Sequence, residues 1–114
     1  MNITKESHPK SFELFRAYIK NQILSSSEKF SALPKEATDA LVGDNIISLA
    51  MNRGARDAYD FLDGQGIIVS VWNPGGGWKY RIGDGVPMEA TGGQDRKGTE
   101  QRAFLEAFNR LEKR

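Results

Sequence analysis

The stretch VWNPGGGWKYRI (residues 71–82) sets a proline and three glycines between two tryptophans, and its reading decides the fold. Phosphate-gripping loops of the Walker and dinucleotide kind join a strand to a helix, so that glycine amides and a helix N-terminus aim at one anion. Here the residues after the glycines, Trp-Lys-Tyr-Arg-Ile, alternate with the period of a strand, and no Gly-Lys-Ser/Thr follows. NPGGG is therefore expected to be the turn of a hairpin.

Taking residues 73–77 as a five-residue connection sets Trp72 opposite Trp78 and fixes which side chains share a face. Ile68, Ser70 and Trp72 then lie with Trp78, Tyr80 and Ile82. A pairing of Ile82 with Val86 adds Met88 and Ala90. This apolar, aromatic face is expected to be core, covered by a C-terminal helix through Phe104 and Phe108; the alternative is a platform on which bases stack. The opposite face holds Ile67, Val69 and Val71 beside Lys79, Arg81, Glu89 and Thr91. Ile67, Val69, Val71, Lys79 and Arg81 are the candidate protein interface, unless N-terminal helices cover the face and the basic stems reach outward past them.

Downstream, Gly83-Asp84-Gly85 reads as a tight hairpin connection to a third strand over residues 86–91, placed at an edge by Pro87, which cannot donate a ladder bond. Thr99 is the expected N-cap of a last helix with a buried stripe of Phe104, Ala107, Phe108 and Leu111. Upstream the period is helical. Phe12, Phe15, Ile19 and Ile23 make one stripe of a helix starting near Ser7-His8-Pro9 or Ser11 and ending in the serine run. Leu33-Pro34 opens a second helical region, with Pro34 at the first helical position and Ala37, Ala40 and Leu41 as its apolar face. Gly43-Asp44 is a stop and a new N-cap, and the nearly all-round apolar Ile46, Ile47, Leu49, Ala50 and Met51 are expected at the centre of the core. ARDAYDFLDG adds a short helical stretch. The expected fold class is α+β: a helical N-terminal half followed by a three-stranded antiparallel meander and a C-terminal helix, α-α-α-β-β-β-α.

At 114 residues the chain fits a single domain spanning 1–114. No apolar run approaches membrane-spanning length, and the polar start MNITKESHPK does not resemble a secretory signal. The chain has no cysteine, which excludes disulfides, a thiolate nucleophile and cysteine-ligated metals, and fits a reducing cytoplasm. Sixteen basic and fifteen acidic residues give a net charge of +1, so nucleic-acid binding would need a local patch.

Few residues suggest chemistry. His8 is the only histidine, so neither a histidine triad nor a multi-histidine metal site can be assembled; it reads as a neighbour of a helix cap. Asp57, Asp60 and Asp63 share one helix face and are read as a solvated row paired with Arg53 and Arg56 rather than a cation site. Asp84 and Glu89, with Arg81, are the acid/base groups of an alternative small-enzyme reading, but nothing positions a nucleophile. No catalytic residue, metal ligand or cofactor is assigned.

Arg96-Lys97 stand immediately before the last helix, a position suited to an anion, with Arg102 further along it. The order helix, three strands, helix, with DRKGTEQRAFLEAFNRL at its end, resembles the layout of the double-stranded-RNA-binding domain over roughly the last fifty residues plus one upstream helix. The resemblance implies nucleic-acid contact through Arg96 and Lys97. The chain departs from it in having only two basic residues there, bulky Phe104 and Phe108 in the final helix, and a longer helical N-terminal half. The function expected from the residues is a small non-catalytic binding protein acting through protein–protein contacts, as a homodimer or with another protein. The alternatives are a nucleic-acid-binding module using Lys79, Arg81, Arg96, Lys97 and Arg102, and a small enzyme with an acidic site.

Overall fold

The structure, a computed structural model, describes residues 3–26, 34–53, 56–83, 88–89 and 95–114. Among them the chain order is α1 (Pro9–Ser26), α2 (Lys35–Leu41), α3 (Asp44–Arg53), α4 (Arg56–Gly64), β1 (Val69–Trp72), β2 (Lys79–Ile82), β3 (Met88–Glu89) and α5 (Arg96–Glu112). The architecture is mixed: helices, a small antiparallel sheet and a C-terminal helix. Four helices precede the sheet among the described residues, against three in the expected layout, because the short stretch Arg56–Gly64 stands as a helix in its own right. No helix of the described residues is long and apolar enough to cross a membrane.

α5 is the central element, lying against β1 and β2 on one side and against α1 and α3 on the other. Its stripe is as expected: Ala103, Phe104, Ala107 and Phe108 are fully buried, and Leu111 nearly so. Phe108 meets Phe15 of α1 at 6.1 Å and Phe61 of α4 at 6.3 Å, while Phe104 meets Tyr59 edge-on at 4.7 Å. Buried rings in these tilted arrangements add to their area burial. The N-cap is Asp95 rather than Thr99: its carboxylate accepts the Gly98 amide at 2.9 Å. Thr99 sits a turn inside the helix, buried, with its hydroxyl donating to the Asp95 carbonyl.

α1 follows its stripe, with Phe12 and Phe15 buried and Ile19 and Ile23 packed at the core's margin. Pro9 stands at its first position, where a missing N–H breaks no bond. α2 departs from expectation, since Pro34 precedes the helix and Ala40 and Leu41 are exposed. α3 departs too. Ile47 and Met51 face the core, but Ile46 is 51% and Leu49 37% exposed, so the helix is one-sided rather than central. Its buried side includes Ser48 and Asn52, which hold the N-terminal segment. The Asn52 amide accepts the Ile3 N–H at 3.0 Å and donates to the Ile3 carbonyl at 2.8 Å, and the Ser48 hydroxyl donates to that same carbonyl. Buried polar groups that are paired in this way are not penalised, and the Ile3 side chain is carried fully into the core.

α4 ends by a mechanism that delivers the chain to the sheet. Gly66 adopts φ +80, its amide bonds the Asp63 carbonyl and the Ile67 amide bonds the Leu62 carbonyl, the paired bonds of a Schellman motif. β1 then pairs antiparallel with β2, and β3 with the far side of β2. The third strand expected over residues 86–91 is reduced, among the described residues, to the two-residue Met88–Glu89. Its backbone register, Tyr80 opposite Met88, is the one that an Ile82–Val86 pairing extends to; Val86, Pro87, Ala90 and Thr91 lie outside the described residues.

Candidate interaction surface

The β1–β2 register pairs Val69 with Ile82, Ser70 with Arg81, Val71 with Tyr80 and Trp72 with Lys79. This overturns the expected pairing of Trp72 with Trp78. Trp78 lies outside β2, so the connection runs over residues 73–78, one residue longer than the glycine run suggested. A one-residue change exchanges the faces of a strand. Val69, Val71, Tyr80 and Ile82 therefore share the side turned to α5, where the Tyr80 hydroxyl bonds Glu106 at 3.1 Å. Ser70, Trp72, Lys79 and Arg81 share the other side, continued by Ile68.

The turn explains itself locally. The Asn73 side-chain oxygen accepts the Gly75 amide at 2.8 Å and the Gly77 amide at 3.4 Å, and both glycines have positive φ, 107 and 130. The position in which a phosphate would sit above converging amides is thus taken by the chain's own carbonyl.

The five residues expected to form one interface are divided by the sheet. Ile67 is buried, and Val69 and Val71 pack against the core. Lys79 and Arg81 lie on the opposite side, where the Arg81 guanidinium stands 5.9 Å from the centroid of the Trp72 ring, in cation–π range. Ile68 beside them is 54% exposed. This cluster of tryptophan, arginine, lysine, serine and isoleucine was missed in the sequence because it depends on the register alone.

The basic residues of α5 do not join that surface, since α5 packs behind the sheet on the Tyr80 side. Arg96 is paired with Glu100 at 3.0 Å, and Asp95 supplies the carboxylate at the helix N-terminus. Lys97 and Arg102 are exposed. Glu106 is shared between Arg110, at 3.0 Å, and Tyr80. These acids also act on the tyrosines. Burial, helped by Glu100 and opposed by Arg96, pushes Tyr59 up to about 12. Burial and the Glu106 bond raise Tyr80 against the pull of Arg102.

The residues considered for chemistry are dispersed. His8 stands directly before α1, where its carbonyl accepts the Phe12 amide, and it is buried: its ring nitrogens lie 2.6 Å from the Ser7 hydroxyl and 2.6 Å from the Asn109 side-chain oxygen, tying the start of α1 to the end of α5. Asp57, Asp60 and Asp63 are exposed, and among the described residues they form no ion pair with Arg53 or Arg56; Asp57 and Asp60 instead reinforce burial in raising Tyr18. Asp84 lies outside the described residues. Among those described, no group of three acids or histidines is placed to hold a metal ion. A cleft of about 230 Å³ opens between the N-terminal turn and α3, lined by Thr4, Lys5, Phe12, Asp44 and Ser48, and its Asp44 is engaged by Arg16 and by Lys5. No protein-family model, curated protein or solved structure matches the chain.

Proposed function

We propose that the protein is a small non-catalytic binding protein that works through protein–protein contacts, self-association included, and that it binds with the side of the sheet carrying Ile68, Ser70, Trp72, Lys79 and Arg81. One observation carries the reading: Arg81 stands in cation–π range of Trp72 on the face turned away from the helices, beside an isoleucine left more than half exposed. Tryptophan and arginine are among the residue types enriched where binding energy concentrates at protein interfaces. The start of α5 supports a nucleic-acid reading less well, because Asp95 and Glu100 neutralise it locally. A reducing cytoplasmic setting suits a chain without cysteine.

A photo-reactive residue in place of Trp72, compared with one in place of Lys113, tests the reading in purified protein and in extract. Discrete protein adducts at position 72 that disappear with Arg81→Glu are expected; equal labelling at both positions overturns it.

A further inference from the structure

The backbone of β1 points to a particular partner. The Gly83 amide donates to the Ile68 carbonyl at 2.6 Å, which identifies Ile68–Gly83 as a bonded pair of the β1–β2 ladder. Bonded and non-bonded pairs alternate along an antiparallel ladder. Ser70–Arg81 and Trp72–Lys79 are therefore bonded pairs as well, while Val69–Ile82 and Val71–Tyr80 are not. The N–H and C=O groups of Val69 and Val71 thus point away from β2, toward the outer edge of the sheet, of which β1 is the terminal strand. Among the described residues nothing pairs with them. Among the described residues the edge is closed at its start, where the Ile67 amide is taken by the Leu62 carbonyl at the end of α4. VSVW also lacks the proline, charge or bulge with which sheet edges are ordinarily protected.

We propose that two copies of this chain pair antiparallel through the β1 edges, about a two-fold axis at Ser70, to form one continuous sheet. The strand is its own complement in one register. With Val69 opposite Val71 of the second copy, both outward-pointing residues exchange their bonds, and the symmetry makes the contact isologous. Shifting one way would call on Ile67, whose amide is already used, and shifting the other way on Asn73, which belongs to the glycine turn. The same register sets Trp72 across from Ile68 of the second copy, covering the most exposed large apolar side chain among the described residues. Backbone bonds supply the attachment and the Trp72–Ile68 contacts the register, the division of labour seen in strand addition generally. The proposal names the partner for the protein–protein reading above and rests on it.

The chain has no cysteine, so a single Ser70→Cys substitution reports the axis directly. In a non-bonded antiparallel pair the Cα atoms lie about 4.5 Å apart, within disulfide range. Under glutathione redox buffer S70C is expected to form a covalent dimer well ahead of a Lys113→Cys control, and the unmodified protein to sediment as a dimer at micromolar concentration. Val71→Pro removes an outward donor and no β1–β2 bond, at the cost of a side chain packed at the core's margin, so it is expected to give a less stable monomer that keeps the circular dichroism of the fold. If that variant does not fold, the cysteine comparison decides alone. S70C oxidising no faster than K113C overturns the proposal, whether the unmodified protein is monomeric or dimeric. If cross-linking from position 72 to another protein then persists, the binding reading stands without the dimer.

Discussion

The Glu112 carboxylate accepts the Ser11 amide at 2.8 Å with one oxygen and the Lys10 amide at 3.2 Å with the other, so the last turn of α5 caps the first turn of α1. The amides of a first helical turn have no partners within the helix, and an anion placed on them also meets the positive end of the helix dipole. The cap and the His8–Asn109 bond close the two ends of the described chain on each other.

This cap makes stability sensitive to acid. Burial alone would raise Glu112, but the bonds from the Ser11 amide and hydroxyl and from the Lys10 amide, with the field of His8, hold it below its ordinary 4.5. A carboxyl with a depressed folded value stabilises fully above its unfolded value and loses that contribution as pH falls through the folded one. Glu112→Ala is expected to cost about 1 kcal/mol at neutral pH, the usual worth of a helix cap. The difference between variant and parent in urea unfolding should shrink as pH drops below about 4.5; a gap that stays constant to pH 2 would show that the cap carries no such linkage.

The tyrosines act at the other end of the scale. Tyr18 and Tyr80 are raised and Tyr59 reaches about 12, against an ordinary 10.0, with burial as the first cause in each. The raised values favour the neutral phenol in the folded chain, so their contribution is complete well below pH 10 and is lost as pH rises through the folded values, for Tyr59 toward about 12. Absorbance at 295 nm should show less tyrosinate at pH 10 in the folded protein than in the urea-unfolded chain. A native titration no higher than that of the unfolded chain would contradict the burial, full or partial, of the three rings.

The sequence made the stripes legible and the register not. Phe12 and Phe15 in α1, and Phe104, Ala107, Phe108 and Leu111 in α5, are buried as their spacing requires, because a helix fixes its own periodicity. A hairpin's faces depend on how many residues the turn takes up, and Trp78 could be counted into either. The mixed sheet face was therefore composed correctly in kind but with the wrong strand partner: Lys79 and Arg81 keep company with Trp72, not with the valines. The apolar look of α3 misled for a different reason, since Ser48 and Asn52 occupy its buried side to grip Ile3, and Ile46 is turned out. Contacts between residues about a hundred positions apart, such as Ser11 with Glu112, leave no local pattern at all.

Two substitutions separate core from surface on the strength of that register. Phe108→Ala should cost about 3–5 kcal/mol, because the ring is fully buried against Phe15 and Phe61 and its removal leaves a cavity. Trp72→Ala should cost less than Phe108→Ala when both are measured at protein concentrations low enough to leave the chain monomeric, because Trp72 is only half-buried and lies on the side of the sheet turned from α5. Chemical denaturation of the two variants checks the faces. Equal losses would place Trp72 in the core and restore the five-residue turn.

Binding to nucleic acid is expected to be weak, and the reason lies in where the cations stand. Phosphate binding gains from counterion release in proportion to the number of phosphates neutralised together, so cations must converge on one surface. Here Lys79 and Arg81 lie on the outer side of the sheet, while Arg96, Lys97 and Arg102 belong to the helix behind it. Arg96 is further tied to Glu100, and Asp95 occupies the helix start. Generic duplexes and single strands should bind no tighter than the non-specific range of roughly 10⁻⁴ to 10⁻⁶ M at physiological salt. A gel-shift titration at two salt concentrations measures this. Submicromolar binding abolished by changing Arg96 and Lys97 together to glutamate would make the start of α5 the functional surface; submicromolar binding abolished instead by Trp72→Ala would make the outer sheet face a base-stacking platform, since there an aromatic ring and two cations share one side.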